Sequence, residues 1–328
     1  MITIDSIRKL IEKELDEFET FVRSHFRADD GLLAEMLEYV MSSRGKGIRP
    51  MITMLSASIN STSGYVGKRT YLAAMLVEMI HVASLIHDDV IDEADMRRGR
   101  ASVNARWQSR NAVLAGDYIL ARNMDIGMSS GQFDLVSHII KCIAVLCEGE
   151  ILQSDHTSKM NTSREDYLEI IRRKTASLIS VSASAGALSA GASAERVANM
   201  RRFGEALGMA FQISDDILDY TSPSSVTGKP ANADLYERKI TLPLIEVLEQ
   251  ADEEHRNEMM KALAACPDNP EMVKFVSETV ERNGGIERAR EVMKAYLQRA
   301  MSILADYEAS PARDALMDLC TYVGERNK

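Results

Sequence analysis

No proline interrupts the chain between Pro50 and Pro223. A proline ring carries no amide hydrogen and collides with the preceding helical turn, so this interval is where long helices can form. It is also rich in Ala, Leu, Ile, Met and Glu, which lose little side-chain freedom in a helix. Further along, Met293, Tyr296, Leu297, Ala300, Leu304 and Tyr307 recur at helical spacing with Lys294, Gln298 and Arg299 between them, which marks one amphipathic helix. Thr162 and Glu165 read as a capping box ahead of Tyr167, and Asn283, Gly284 and Gly285 as a stop. No stretch alternates as a strand would. The expectation is an all-α bundle of long helices. A length of 328 residues would allow about two domains, but no linker-like segment divides it, and residues 1–328 read as a single domain. The segment Thr221 to Lys239, with two prolines and a Gly-Lys pair, reads as a long ordered or gated loop between helices, and loops of that length usually serve function.

Composition excludes several classes. With 45% hydrophobic residues the chain is too apolar for disorder, and no stretch approaches the roughly 18 uninterrupted apolar residues of a membrane span. Lys and Arg number 39 against 49 Asp and Glu, a net charge of −10, which argues against a nucleic-acid surface built on bulk basicity. Any anionic ligand must be held locally. Cys142, Cys147, Cys266 and Cys320 form no CxxC pair, so they suggest neither a disulfide framework nor a zinc site. The first residues mix charged with apolar side chains and show no export signal. A cytoplasmic enzyme is expected.

One short motif occurs twice. DDxxD appears as Asp88, Asp89 and Asp92 and again as Asp215, Asp216 and Asp219, 127 positions apart (88 to 215). On a helix the first and last acids of each copy are i and i+4 and point from one face. Like charges on adjacent turns destabilise a helix unless a cation sits between them, and apolar residues precede both copies. Carboxylates offered in ones and twos, with room for water and phosphate oxygens, suit Mg²⁺; a metal-bound diphosphate is the implied ligand. A lone DDxxD is as readily a solvated helix face, but two copies on apolar helices weaken that reading.

Basic residues fit the same chemistry. Lys46 and Arg49 lie in GKGIRP, where glycines let backbone approach an anion and Pro50 can sit in the first turn of a helix. Arg97 and Arg98 follow Asp92, and guanidinium groups grip phosphate bidentately. Lys174 and Thr175 form a KT pair; Lys229 and Lys239 fall in the polar loop. Each alone is more often a solvated charge, so their force is collective. His81 stands seven residues before Asp88, about 20° from it on the helical wheel. An isolated histidine on an apolar helix is more often a hydrogen-bonded core residue; here a basic or donor role toward a second diphosphate is open. His87 beside Asp88 invites comparison with His-Asp phosphohydrolases, but no further His-Asp spacing completes such a site.

Taken in order, GKGIRP, EMIHVASLIHDDVIDEADMRRG, the KT pair, FQISDDILDY and GKPANADLYERKITLPL resemble the trans-prenyl diphosphate synthase (polyprenyl synthetase) family over nearly the whole chain. Class I terpene cyclases share the first motif, but their second normally ends in a hydroxyl residue and a glutamate, where this chain has Asp219 and Pro223. The resemblance implies helices around a central cavity, a homodimer, and condensation of isopentenyl diphosphate with an allylic diphosphate primer. By matching positions it implies Asp88, Asp92 and Asp215 as Mg²⁺ ligands. Arg97, Lys174 and Lys229 would hold the allylic diphosphate, assisted by Thr175, Gln212 and Lys239. Lys46, Arg49, His81 and Arg98 would bind isopentenyl diphosphate. Asp89, Asp216 and Asp219 would act behind these groups or through water. The chain departs from the family pattern at Arg44, where a second glycine often stands, and at Gly47, where a basic residue is frequent.

Product length is read from the helix that ends at Asp88. Ala83 and Ser84, one turn below, are small where short-product relatives commonly carry aromatic floors. Seventeen residues back to Tyr71 span about 25 Å. Met75, Met79, Met124 and Met128 could line a deformable wall, or fill core gaps. The expected product is long, near the octaprenyl class used for quinone tails. A farnesyl or geranylgeranyl diphosphate synthase, a non-catalytic subunit lending surface to an active partner, and a His-Asp diphosphate hydrolase are the alternatives.

Overall fold

A computed structural model of the chain describes residues 2–42, 45–64, 66–221 and 231–326; Arg44, Lys229 and residues 222–230 of the polar loop lie outside these. The described residues are overwhelmingly helical. In chain order come α1 (Ile4–Leu10), α2 (Glu12–His25), α3 (Gly31–Ser42), α4 (Ile48–Asn60) and α5 (Lys68–Ile91). A ladder of two residues per strand follows, β1 (Met96–Arg97) with β2 (Arg100–Ala101), then α6 (Val103–Ser129), α7 (Phe133–Lys159) and α8 (Arg164–Ile171). A π-helical turn, Arg172–Ala176, joins α8 to α9 (Ser177–Ser189), and α10 (Ala194–Thr221) carries the second acidic motif. The remainder is α11 (Ala233–Tyr236), α12 (Leu242–Leu248), α13 (Glu253–Ala265), a 3₁₀ turn, α14 (Pro270–Arg282), α15 (Gly285–Ala305) and α16 (Pro311–Glu325).

Two compact units are distinguished. The first comprises Met1–Ile143, Leu178–Gly204 and Ile303–Leu319. Its centre is α5, which packs most extensively on α6 and α4. Every residue from Thr70 to Val77 is buried, as expected of a helix apolar on all sides and enclosed by others. By length and composition α5 could cross a membrane, yet 67% of its apolar window is buried within the protein. Gly186 of α9 lies where a side chain would press on the Thr53 carbonyl of α4, 2.1 Å from a notional Cβ, so only glycine permits that approach. Two buried serines of α9 are satisfied locally: the hydroxyls of Ser182 and Ser184 donate to the carbonyls of Leu178 and Ser180 at 2.8 and 2.9 Å, which offsets the cost of burying them.

The second unit comprises Ala144–Ser177, Glu205–Ser302 and Cys320–Lys328. Helix α12 is buried over Leu242–Val247. The carboxylate of its Glu246 is 6% exposed and meets Arg164 at 3.3 Å and Arg288 at 3.6 Å, so the buried charge is compensated.

Several local expectations shift. The cap of α8 is Ser163 with Asp166, not Thr162 with Glu165: the same three-residue spacing fits one position later, and the serine is the residue with extended backbone. The amphipathic helix ends at Ala305, leaving Tyr307 beyond it. Thr221 is still helical and Ala233–Tyr236 forms a short helix inside the expected loop. The two-residue ladder is too short to alternate, which is why no strand pattern announces it. Met75 and Met79 are buried, but Met128 is 53% exposed and builds no wall in this chain. All four cysteines are free, and burial pushes the Cys142 and Cys320 thiols up to about 12.

Candidate active site

In the first unit α5 delivers the first acidic motif at its last turn. Asp88 is part-exposed, Asp89 buried and Asp92 exposed; Asp92 caps the helix, its amide donating to the Asp88 carbonyl at 2.8 Å. Asp89 turns inward and accepts from Arg97 Nε and Nη2 at 2.7 and 2.6 Å. That carboxylate therefore anchors a guanidinium, while Asp88 and Asp92 keep solvent-accessible surface. The ladder that carries Arg97 turns through Arg98 and Gly99, with φ of +53° and +75°, the two-residue hairpin geometry that needs left-handed backbone at both central positions.

Arg98 reaches the GKGIRP loop. Its Nη1 lies 2.6 Å from where a Cβ on Gly45 would sit, so that glycine makes room for a guanidinium. Gly47, with φ +65°, precedes α4, and Arg8 of α1 donates to the Lys46 carbonyl at 3.3 Å. Burial, followed by the positive charge of Arg49, Arg98 and Arg97, holds the His81 imidazole well below its usual range. The imidazole is thus kept neutral among cations. One turn earlier Glu78 is pushed up by burial, against the pull of Arg49 and Arg98. The structure thus brings His81, Arg49, Arg97 and Arg98 into one electrostatic neighbourhood and adds Glu78, whose signal in the sequence is only a lone acid in the apolar run of α5. Ala83 is fully buried, and the Ser84 hydroxyl donates back to the His81 carbonyl at 2.9 Å. A small pocket of about 60 Å³ is lined by Val82, Leu85 and Ile86 of α5 and by Tyr39, Arg97 and Arg98; Ala83 and Ser84 do not line it.

In the second unit α10 carries Asp215, Asp216 and Asp219, each used differently. Asp215 accepts from Arg326 Nη2 at 2.5 Å, a guanidinium that also stacks 4.6 Å from the Phe211 ring. Asp216 is buried and accepts from the Tyr167 hydroxyl at 2.6 Å and from Gln212 Nε2 at 2.8 Å. Burial and the nearby Asp234 push its pKa well up, while the two donors pull it down. Asp219 accepts from the amides of Ala233 and Asp234 at 3.0 and 3.1 Å, and its carbonyl accepts from the Asn232 amide at 3.0 Å.

The KT pair lies in the π-helical turn Arg172–Ala176, a departure from α geometry that concentrates at functional sites. Two glycines seat it. A Cβ on Gly208 would stand 2.5 Å from Ala176 Cα, and one on Gly149 would stand 2.8 Å from the Lys174 amide nitrogen. Lys174 Nζ meets Glu150 Oε2 at 2.7 Å and Gln153 Oε1 at 2.8 Å, and Thr175 Oγ1 donates to Gln212 Oε1 at 2.7 Å. Lys239 pairs with Glu237. Glu150, Gln153, Tyr167 and Arg326 were not legible as site residues, because each belongs to a motif only through contacts distant in sequence.

Among the described residues no three His, Cys, Asp or Glu side chains gather so as to hold a metal ion unaided. The donor set is instead a few part-exposed or exposed carboxylates, Asp88 and Asp92 in the first unit and Asp215, which also meets Arg326, in the second, a chemistry that fits a hard cation completing its shell with water and phosphate oxygens.

The polyprenyl synthetase family model matches residues 30–280. The chain is 37% identical over 312 residues to heptaprenyl diphosphate synthase component 2 of Geobacillus stearothermophilus, covering 95% of this chain and 94% of that one. It is 31% identical over 327 residues to octaprenyl diphosphate synthase of Escherichia coli (strain K12), covering both chains fully. Its fold superposes with a TM-score of 0.91 and 28% identity on a polyprenyl synthase from Caulobacter crescentus CB15 solved in complex with calcium and isoprenyl diphosphate, over 99% of this chain and 98% of that one. With an all-α architecture, both aspartate-rich motifs intact and full-length similarity, the chain belongs to the polyprenyl synthetase family and is a prenyltransferase, a trans-prenyl diphosphate synthase.

Proposed function

We propose that the chain adds isopentenyl diphosphate repeatedly, in trans, to an allylic diphosphate primer and releases a long-chain polyprenyl diphosphate near the octaprenyl class, of the kind used for quinone tails. The observation that carries this reading is that each acidic motif fixes its second carboxylate on protein donors, Asp89 on Arg97 and Asp216 on Tyr167 and Gln212, and sets its first acid, Asp88 or Asp215, at a part-exposed position, Asp215 there meeting Arg326. Asp88, Asp92 and Asp215 would hold Mg²⁺, which when bound neutralises charge growing on the departing diphosphate. Arg97, Lys174 and Lys229 hold the allylic diphosphate, with Thr175, Gln212 and Lys239 assisting; Lys46, Arg49, Arg98 and neutral His81 hold isopentenyl diphosphate. Ionisation leaves an allylic cation, the isopentenyl double bond attacks it, and proton loss to the released diphosphate closes a five-carbon addition inside an apolar cavity that excludes water.

The names of the heptaprenyl and octaprenyl relatives support a long product, as does the small, buried Ala83. Residues 1–328 act as one domain in this reading, supported by a family match that runs through both compact units. A cytoplasmic location is supported by four unpaired thiols. A homodimer is supported by exposed apolar side chains along α6 and the start of α7, among them Leu114, Met128 and Phe133, since patches of that kind mark association surfaces. The words "component 2" in the Geobacillus relative's name favour a second arrangement, in which another kind of chain completes the enzyme.

The test is incubation of the pure chain with Mg²⁺, labelled isopentenyl diphosphate and a series of primers, followed by sizing of the dephosphorylated alcohols. Alcohols of 35 to 40 carbons support the proposal, where the approximate range follows from seven or eight five-carbon units. Alcohols of 15 to 20 carbons would make it a short-chain synthase, and no product until a second chain is added would make it one component. Asp88→Ala and Asp215→Ala are each expected to abolish turnover with helicity by circular dichroism unchanged; activity within a few-fold of the parent contradicts the roles given to those acids.

A further inference from the structure

Tyr167 has no part in the proposed chemistry, yet it heads a chain of hydrogen bonds that begins in the core and ends at part-buried Thr175. Its ring is 3% exposed, and its hydroxyl donates to Asp216 Oδ2 at 2.6 Å. The other carboxylate oxygen accepts from Gln212 Nε2 at 2.8 Å, and Gln212 Oε1 accepts from Thr175 Oγ1 at 2.7 Å. The directions are not interchangeable. The Gln212 amide turns its nitrogen to Asp216 and its oxygen to Thr175, each end having one partner. The single hydroxyl hydrogen of Thr175 is then committed inward. Two donors converge on Asp216, one from α8 and one from α10, so neither oxygen of a side chain 4% exposed lacks a partner.

The backbone of Thr175 is fixed independently, because Gly149 and Gly208 seat the π-helical turn at distances that leave no room for a methyl group. What remains to be set is the direction of the hydroxyl. We infer that Tyr167 is a positioning residue for the allylic-diphosphate half of the reaction, acting through Asp216 to fix the amide of Gln212 and, through that amide, the hydroxyl of Thr175. The inference rests on the roles proposed above for Gln212 and Thr175.

Without the Tyr167 hydroxyl, Asp216 keeps one donor, its carboxylate can rotate, and the Gln212 amide can turn over. Buried networks of this kind act as a unit, so their members are non-additive. The experiment is steady-state kinetics on the full chain with Mg²⁺, varying the allylic diphosphate at saturating isopentenyl diphosphate and then the converse. The variants are Tyr167→Phe, Gln212→Leu, the double variant and Thr175→Val, each checked by thermal unfolding. Tyr167→Phe is expected to lower kcat/KM for the allylic diphosphate by about tenfold, the cost of one lost hydrogen bond to a charged group, with KM for isopentenyl diphosphate changed less than about twofold. The double variant should be no worse than Gln212→Leu alone.

A Tyr167→Phe enzyme with unaltered allylic kcat/KM overturns the inference, and so does a double variant whose loss is the product of the two single losses. If Gln212→Leu and Thr175→Val are themselves silent, the roles given to those two residues fall and the inference falls with them, a result distinct from silence at Tyr167 alone. Should Tyr167→Phe fail to fold, Asp216→Asn takes its place: it sets an amide nitrogen against Gln212 and turns that side chain over. The same selective loss toward the allylic substrate supports the inference, and an equal loss toward both substrates, or none, overturns it.

Discussion

Neutral imidazole is the form of His81 that the surroundings permit, since burial and three guanidinium groups all disfavour a further positive charge. An unfolded histidine titrates near 6.5, so below that value the unfolded chain binds a proton that the native chain refuses, and stability falls as pH drops from about 6.5 toward the depressed native value. Glu78 has the opposite sign: its carboxyl is raised in the native state, so its contribution is complete below about 4.5 and is lost as pH rises through the native value. Between pH 7.5 and 5.5, approximate limits chosen to straddle the free histidine value, the His81→Gln variant should show a flatter dependence of denaturation midpoint on pH than the parent. A parallel dependence in both would mean that His81 is not the group refusing the proton. The sequence places His81 and Asp88 on the last turns of one helix with Asp92 at its end, as the structure has them, because helical spacing acts locally. Glu78, Tyr167 and Arg326 were not legible as site residues, because each acquires its partner only when elements far apart in sequence meet.

Helices were legible at the scale of whole elements and less so at their ends. The proline-free interval does fold into long helices, and Gly284 does stop α14 with φ +69°, because proline chemistry and left-handed glycine act locally. The π-helical turn left no trace, since Arg172–Ala176 would serve equally well in an α-helix; it is set by Gly149 and Gly208 closing on it. Gly208→Ala should therefore destabilise the chain by about 1–3 kcal/mol through overpacking and depress turnover beyond the loss of folded protein, measured by denaturant titration alongside kinetics. Stability and turnover both within error of the parent would mean the cradle is loose. On α5, Ala83→Phe and Ser84→Phe test the proposed tunnel floor: shorter alcohols are expected, and an unchanged product distribution would put the tunnel along another face.

At the scale of the molecule, an excess of ten negative charges coexists with a ligand that is itself an anion, and the two are reconciled by gathering arginines around His81. The exposed Leu114 and Phe133 make a matching prediction for assembly: Leu114→Glu or Phe133→Glu should shift sedimentation toward a single chain if copies pair through α6 and α7, and an unmoved dimer would locate the contact elsewhere. One further consequence belongs to Asp219. Its carbonyl and both carboxylate oxygens accept from three successive amides, Asn232 to Asp234, so a single residue of α10 tethers the start of α11, and replacing it by alanine would strand two of those amides at once.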